Sequence, residues 1–149
     1  MNNFVFGERS KKNLENVHPD LQEIMDVSIA CTPIDFMVIC GWRSKDEQNR
    51  LFDEGRSKVR YPDSKHNHTY TDPNTGNLRP QSLAIDFVPY RSGKPVDWSD
   101  THAFAVIAGV MMASAKSHGY TLRWGGDWDM DGSTKNQSFM DWGHVELVL

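Results

Sequence analysis

The sequence predicts an α+β domain in which a small, largely antiparallel sheet packs with N-terminal and central helices. Apolar residues recur at helical spacing in two long stretches, and short β-branched runs lie between the helical patterns. Neither a regular strand–helix–strand alternation nor a glycine-rich phosphate loop is present, which disfavours a parallel sheet. The chain has 149 residues, 38% of them hydrophobic. This length and composition predict a single domain over residues 1–149.

Three or four elements are predicted for the N-terminal third. Apolar residues within 10–32 recur at helical spacing and indicate one or two helices. The run 34–40 is short, β-branched and almost wholly apolar, as expected of a largely buried strand. Ser44 and Glu47 have the form of a capping box, so a helix is predicted over 45–54.

The rest of the chain alternates between a long polar loop and short regular elements. Residues 55–81 are polar and interrupted by prolines and glycines, and loops of this length are usually functional. Ser99 is predicted to cap a helix that runs to His118 and stops at Gly119. Three further short strands are predicted at 83–90, 121–124 and 144–149.

Charge and hydropathy exclude several kinds of partner. Sixteen basic and twenty acidic residues give a net charge of −4, without the basic surplus that nucleic-acid binding requires. No long apolar run is present, so we expect neither a Sec-type signal nor stable membrane insertion. Cys31 and Cys40 flank the first predicted strand. They could form one disulfide, although two free thiols are more common in a cytosolic protein.

Four residues in three segments could support metal chemistry. A catalytic zinc site takes three nitrogen or oxygen ligands and leaves a fourth position for water. His66, Asp86 and His144 supply such a set if the fold brings them together. Asp141, three residues before His144, could accept the proton of an activated water. Loop histidines are often only solvated, but a carboxylate in the apolar run around Asp86 costs several kcal/mol unless a cation meets it.

The segments S-K-H-N, S-L-A-I-D-F and D-W-G-H-V-E resemble the signatures S-x-H-x-x-G-x-A-x-D and [ED]-x-x-H of the zinc D-Ala-D-Ala metallopeptidase superfamily. This superfamily includes VanX- and VanY-type enzymes and the L-alanyl-D-glutamate endopeptidases that tailed phages use as endolysins. The short phage enzymes are most similar, because they share the F-V-F-G start and the I-D-F-V-P-Y strand. The resemblance spans most of the chain and implies a Hedgehog/D-Ala-D-Ala peptidase-like fold.

Carried over to this sequence, the resemblance implies that His66, Asp86 and His144 bind Zn²⁺ and that Asp141 is the general base. It implies that Arg43 orients the substrate and stabilises developing negative charge, a task suited to a permanently charged guanidinium. The implied activity is zinc-dependent hydrolysis of the L-Ala–D-Glu bond in peptidoglycan stem peptides during host lysis. We expect a monomer without a separate cell-wall-binding domain, held in the host cytoplasm until its release to the periplasm and cell wall.

Two departures from the family pattern leave alternatives open. Twenty positions separate His66 from Asp86, and Ser82 stands where glycine is usual, which an insertion in the loop explains. His68 is therefore a rival ligand, although the S-K-H-N match favours His66. Two other functions also remain open. They are a D-Ala-D-Ala carboxypeptidase or dipeptidase of cell-wall metabolism, and a non-catalytic wall-binding module.

A second cation is suggested by the sequence D-W-D-M-D-G. Asp127, Asp129 and Asp131 alternate as in the opening of a calcium loop, and Gly132 follows at the position of the sharp turn. The glutamate usual at the twelfth position is missing, because Ser138 stands there. Asp-rich turns without metal are common. If Ca²⁺ binds, the loop leads directly to the last motif, so calcium could regulate the site.

Overall fold

The computed structural model describes residues 3–135, 137 and 140–149. The α-helices of these residues are α1 (Glu8–Leu14), α2 (Pro19–Cys31), α3 (Lys45–Asp53) and α4 (Thr101–Ser117). The strands are β1 (Phe36–Cys40), β2 (Thr69–Thr71), β3 (Leu78–Pro80), β4 (Ala84–Pro89), β5 (Thr121–Trp124) and β6 (His144–Val148). A short 3₁₀ turn covers Lys65–Asn67.

Four strands form the main sheet in the order β1-β4-β6-β5, and each neighbouring pair is antiparallel. The strands β2 and β3 form a separate hairpin within the long polar loop. The predicted α+β class with a small antiparallel sheet is confirmed. The last strand in the chain, β6, lies inside the sheet and pairs with both β4 and β5.

Helix α4 covers one face of the sheet, whereas α1 lies against the edge strand β1 and bonds to the backbone of Val38 through Ser10 and Asn13. Helix α4 packs on α2, β4 and β5, and α1 packs on β1. Phe87 of β4 lies in the core, with its ring 6.0 Å from that of Phe36 and 5.8 Å from that of Phe104. Val145 and Leu147 of β6 join this core. Because side chains alternate along a strand, the residues between these positions point to the opposite face.

The start of α4 differs from the prediction. The N-cap is Asp100, whose carboxylate accepts a hydrogen bond from the Ala103 amide at 3.2 Å. Ser99 was predicted to be the cap, but its hydroxyl donates instead to Asp97 at 2.6 Å, and its amide donates to the same carboxylate oxygen. The prediction of Ser99 is therefore wrong by one residue. An Asx turn at Asp97 engages the serine before the helix begins.

Both cysteines are free thiols, Cys31 exposed at the end of α2 and Cys40 partly buried at the end of β1. Within the described ranges, no helix combines the length and the apolar character needed to cross a bilayer.

Candidate active site

The face of the sheet opposite α4 carries polar side chains from β4 and β6. In the register between β4 and β6, Asp86 lies directly opposite His144. Side chains of directly opposed residues share a face, and His144 Nδ1 is 3.1 Å from Asp86 Oδ1. The Asp86 side chain is 22% exposed. The strand pairing thus brings together two residues that are 58 positions apart in sequence.

His66 reaches the same carboxylate from the 3₁₀ turn. The Ser64 hydroxyl accepts a hydrogen bond from the His66 amide at 3.2 Å, and the Asn67 side chain accepts one from the Ser64 amide at 3.2 Å. These reciprocal bonds form a capping box, which explains why serine and asparagine flank the histidine. The turn directs His66 Nε2 to 3.3 Å from Asp86 Oδ1.

The three side chains predicted as zinc ligands therefore converge. Their imidazole nitrogens face one oxygen of Asp86, and the two imidazole rings lie 5.3 Å apart. The remaining nitrogens are engaged elsewhere: His66 Nδ1 is 2.7 Å from the Gly41 carbonyl and His144 Nε2 is 2.9 Å from Glu146 Oε1. Two nitrogens and one oxygen form the type of donor set found in catalytic zinc sites.

His68 and Cys40 are the two other metal-binding residue types nearby. His68 Nδ1 lies 2.8 Å from the Gln81 carbonyl, and among the described residues His68 belongs to no group able to share an ion. Cys40 does belong to one, together with His66 and Asp86. Sequence reasoning missed this thiol at the site. The pairing of β1 with β4, which sets Cys40 opposite Asp86, was the information it lacked.

Arg43 is held between the predicted metal site and a buried amide. Its Nη2 donates to Asp86 Oδ2 at 3.2 Å, and its Nη1 donates to Gln48 Oε1 at 2.9 Å. Gln48 is 0% exposed, and its amide nitrogen donates to the Ser57 hydroxyl at 2.8 Å and to the Val59 carbonyl at 2.7 Å. Gln48 was also missed, although a glutamine three residues before Leu51 on the apolar side of α3 was a detectable signal.

Asp141 approaches the same centre from the loop before β6. Oxygen or nitrogen atoms of Asp86, Asp141 and His144 all lie within 4.8 Å of one another. The Asp141 amide donates to the Gly125 carbonyl at 2.9 Å, and a Cβ at Gly125 would lie only 2.2 Å from the Asp141 carbonyl oxygen. Only glycine permits this approach. Burial raises the pKa of Asp141, and the charge of Asp86 raises it further.

The charges of the site perturb one another strongly. Burial lowers the pKa of His66, but the adjacent Asp86 outweighs burial and raises this pKa to about 10. Burial likewise raises the pKa of Asp86, while His66 and His144 outweigh it and hold this pKa well below its usual range. Without metal, a cationic histidine and an anionic aspartate are therefore favoured. A bound cation would take over the role of the histidine protons.

These residues form the floor of an open cleft of about 450 Å³. Trp128 stands over the floor, with its ring 5.4 Å from that of His144. Trp98 lines the cleft and is 63% exposed. The lining also includes three exposed basic residues, Arg56, Lys58 and Lys65. The cleft thus combines an acidic floor with a partly basic and aromatic rim.

The predicted calcium residues also lie together. Oxygen atoms of Asp127, Asp129 and Asp131 are within 4.8 Å of one another. The Asp127 carboxylate accepts hydrogen bonds from the amides of Asp131 at 3.3 Å and Gly132 at 2.8 Å. Burial and the neighbouring carboxyl groups raise the pKa of Asp127. Ser138, at the twelfth position of the loop, lies outside the described residues.

Comparisons with known proteins show which family this chain is similar to. The family model of the phage L-alanyl-D-glutamate peptidase matches residues 2–148. The L-alanyl-D-glutamate peptidase of Escherichia phage T5 is 34% identical over 148 residues, which cover 97% of this chain and 98% of the relative. The crystal structure of the Serratia marcescens L-Ala D-Glu endopeptidase ChiX matches with a TM-score of 0.72 and 26% identity. This match covers 96% of this chain and 89% of the ChiX chain.

The predicted resemblance to the phage endopeptidases is confirmed by these matches, which extend over nearly the whole chain. The short distances among His66, Asp86 and His144 provide a separate, structural reason to expect metal chemistry. The chain belongs to the phage L-alanyl-D-glutamate peptidase family.

Proposed function

We propose that this chain is a zinc-dependent metallopeptidase that hydrolyses the L-Ala–D-Glu bond of the peptidoglycan stem peptide and acts as a phage endolysin. The observation that carries the proposal is the convergence of His66 and His144 on one oxygen of Asp86 at the floor of an open cleft. The names of the phage T5 and Serratia marcescens relatives support the choice of bond.

His66, Asp86 and His144 would hold the zinc ion. Their donor set suits zinc, and hydrogen bonds at the other imidazole nitrogens fix the two ring orientations. When bound, zinc lowers the pKa of a coordinated water and polarises a carbonyl group. The cleft is open on the side of the ligand atoms, so water and substrate can both reach them.

Asp141 is proposed as the general base. Its carboxylate lies within 4.8 Å of the ligand atoms of Asp86 and His144 and is not needed as a third protein ligand. It would accept a proton from the attacking water and deliver that proton to the leaving amine of D-Glu. The raised pKa of Asp141 suits this double role. A base that must later act as an acid works best when its pKa lies near the operating pH.

Arg43 is proposed to stabilise the negative charge that develops on the scissile carbonyl oxygen. A guanidinium remains charged at every working pH and offers several donors in one plane. Nη1 and Nη2 are bonded to Gln48 and Asp86, which fixes the group beside the cleft. Such preorganised donors are effective because they need no reorientation during the reaction.

The rim of the cleft suits an anionic peptide. A glutamyl residue has two carboxyl groups and continues the peptide through at most one of them, so the substrate keeps a free carboxylate close to the scissile bond. Arg56, Lys58 and Lys65 offer cations around the cleft in a chain whose net charge is −4. Local charge, rather than net charge, would therefore attract the substrate.

Calcium is proposed as a regulator that binds Asp127, Asp129 and Asp131. The support is the clustering of three carboxylates, whose mutual repulsion a divalent cation would relieve. The loop continues towards Asp141, so its ordering could affect the general base. Activity that is unchanged by a calcium-selective chelator, at constant zinc, would contradict this part of the proposal.

Product analysis of digested sacculi tests the function. We expect new L-Ala carboxyl termini and D-Glu amines when purified sacculi are incubated with the zinc-loaded protein. Release of D-Ala would instead identify a carboxypeptidase or dipeptidase, and no release despite full zinc occupancy would identify a non-catalytic module. Asp141→Asn is the matched control, because it should bind zinc and release nothing.

A further inference from the structure

Glu146 is a buried acid that the proposed mechanism does not use. It follows His144 by two residues on β6, so both side chains point to the same face of the sheet. Glu146 is 5% exposed, and its Oε1 lies 2.9 Å from His144 Nε2. A carboxylate at this depth is costly unless charged or donating partners satisfy both of its oxygens.

Arg123 supplies the second partner. In the register between β5 and β6, Arg123 lies opposite Glu146, and its Nη2 donates to Glu146 Oε2 at 2.8 Å. Each oxygen of Glu146 thus accepts from a different donor, Oε2 from Arg123 and Oε1 from His144. The arrangement fixes the position of the carboxylate and keeps Oε1 available for the imidazole ring.

This contact bears on which nitrogen of His144 would be free to bind a metal. A neutral imidazole has one N–H and one lone pair, and a carboxylate can only accept. Both nitrogens of His144 face carboxylates, Nδ1 facing Asp86 and Nε2 facing Glu146, so without metal both can donate. If a metal bound beside Asp86 it would displace the Nδ1 proton, and the proton that remains would be the one that Nε2 donates to Glu146. In His66 the order is reversed, because its Nδ1 donates to the Gly41 carbonyl and its Nε2 faces Asp86.

We propose that Glu146, anchored by Arg123, is a positioning residue that holds His144 in the Nε2–H tautomer and presents Nδ1 to the metal. Glu146 is a negatively charged acceptor, whereas the Gly41 carbonyl bonded to His66 is neutral. The lone pair of His144 should therefore bind a metal more strongly than the lone pair of His66. The inference rests on the proposed zinc site but does not depend on which peptide bond is cleaved.

The test combines zinc affinity with a direct readout of the tautomer. Affinity is measured by competition with a chromophoric chelator, and the protonated nitrogen of His144 by ¹⁵N-edited NMR of the zinc-loaded protein. Glu146→Leu should weaken zinc binding about 10- to 100-fold, as expected when the partner of a ligand histidine is removed. Glu146→Gln keeps one acceptor oxygen, for which Arg123 and His144 compete, so its loss of zinc affinity should be smaller than that of Glu146→Leu.

Glu54→Leu is a matched control, because Glu54 is an acid paired with Arg50 at 3.3 Å and Arg56 at 3.5 Å, and its side chain is far more exposed. It should leave zinc affinity within about twofold of wild type, as surface changes usually do. Zinc binding by Glu146→Leu that matches this control would overturn the inference, as would a proton on Nδ1 of His144 in the zinc-loaded wild-type protein.

Folding is checked from the unfolding midpoint of each metal-free variant. If Glu146→Leu does not fold, Glu146→Gln and Arg123→Met decide the question through the same two measurements. Wild-type protein that binds zinc in the inferred tautomer but cleaves no peptide would refute the proposed function and leave this inference standing.

Discussion

Replacing Gln48 with leucine tests how the buried network supports the candidate site. Gln48 makes three side-chain hydrogen bonds, one from Arg43 and two to the segment that forms a wall of the cleft. Leucine has a similar volume but neither accepts nor donates hydrogen bonds. The Nη1 group of Arg43 would lose its partner while its side chain remains only 12% exposed.

The expected loss of stability follows from these contacts. A hydrogen bond to a charged group contributes about 1.5–3 kcal/mol and a neutral one about 1 kcal/mol. Water can replace part of the bonds to Ser57 and Val59, which lie nearer the surface. We therefore expect Gln48→Leu to lower the free energy of unfolding by about 3 kcal/mol. For a chain of this size, that is a decrease of roughly 6–12 °C in Tm.

Urea unfolding of the metal-free protein measures this change, and kcat/KM on a stem peptide measures the effect on Arg43. We expect kcat/KM to fall at least about tenfold, which corresponds to about 1.4 kcal/mol of lost transition-state stabilisation. Gln22→Leu is the control, because Gln22 makes a single bond to the Val17 carbonyl at 2.8 Å. If the two variants lose equal stability and keep equal activity, the positioning role of Gln48 is refuted.

Three further predictions concern the metal site. Asp141→Asn should keep stoichiometric zinc and lose about 10²–10⁴-fold in kcat, whereas a variant that keeps wild-type turnover would exclude Asp141 as the base. His66→Ala should lose zinc and His68→Ala should retain it, and the opposite metal contents would make His68 the ligand. The metal-free protein should lose stability as the pH rises from 6.5 to about 10. The pKa of His66 is raised to about 10 in the folded protein, because Asp86 outweighs the effect of burial. The charged His66 therefore contributes fully to the free energy of unfolding below pH 6.5, and this contribution is lost as the pH rises through about 10. Unfolding curves at pH 6 and 10 that coincide would contradict this prediction.

Much of the fold could be predicted because local patterns agree with tertiary packing. The run 34–40 and the strand Thr121–Trp124 are short and β-branched or aromatic, and both form strands, the first over Phe36–Cys40. The cap of α4 could not be predicted, because Ser99 and Asp100 are both good caps and a turn at Asp97 decides between them. Such competition between neighbouring polar residues depends on geometry that composition does not contain.

In the candidate site, too, some roles could be predicted from the sequence and others could not. His66, Asp86, His144 and Asp141 lie in recognisable motifs, so the sequence sufficed to suggest that they act together. Glu146 lies inside the D-W-G-H-V-E segment but had no predicted role. Its contact with Arg123 depends on the register between β5 and β6, which no sequence pattern specifies.

The most direct test of the account is hydrolysis of a synthetic stem peptide that contains one L-Ala–D-Glu bond. The protein is freed of metal, reconstituted with one equivalent of zinc, and compared with Asp141→Asn carrying the same zinc. The account predicts cleavage at this bond by the zinc-loaded wild-type protein, with little turnover by the metal-free protein and by Asp141→Asn. Full activity of the metal-free protein, or cleavage at another bond only, would contradict it.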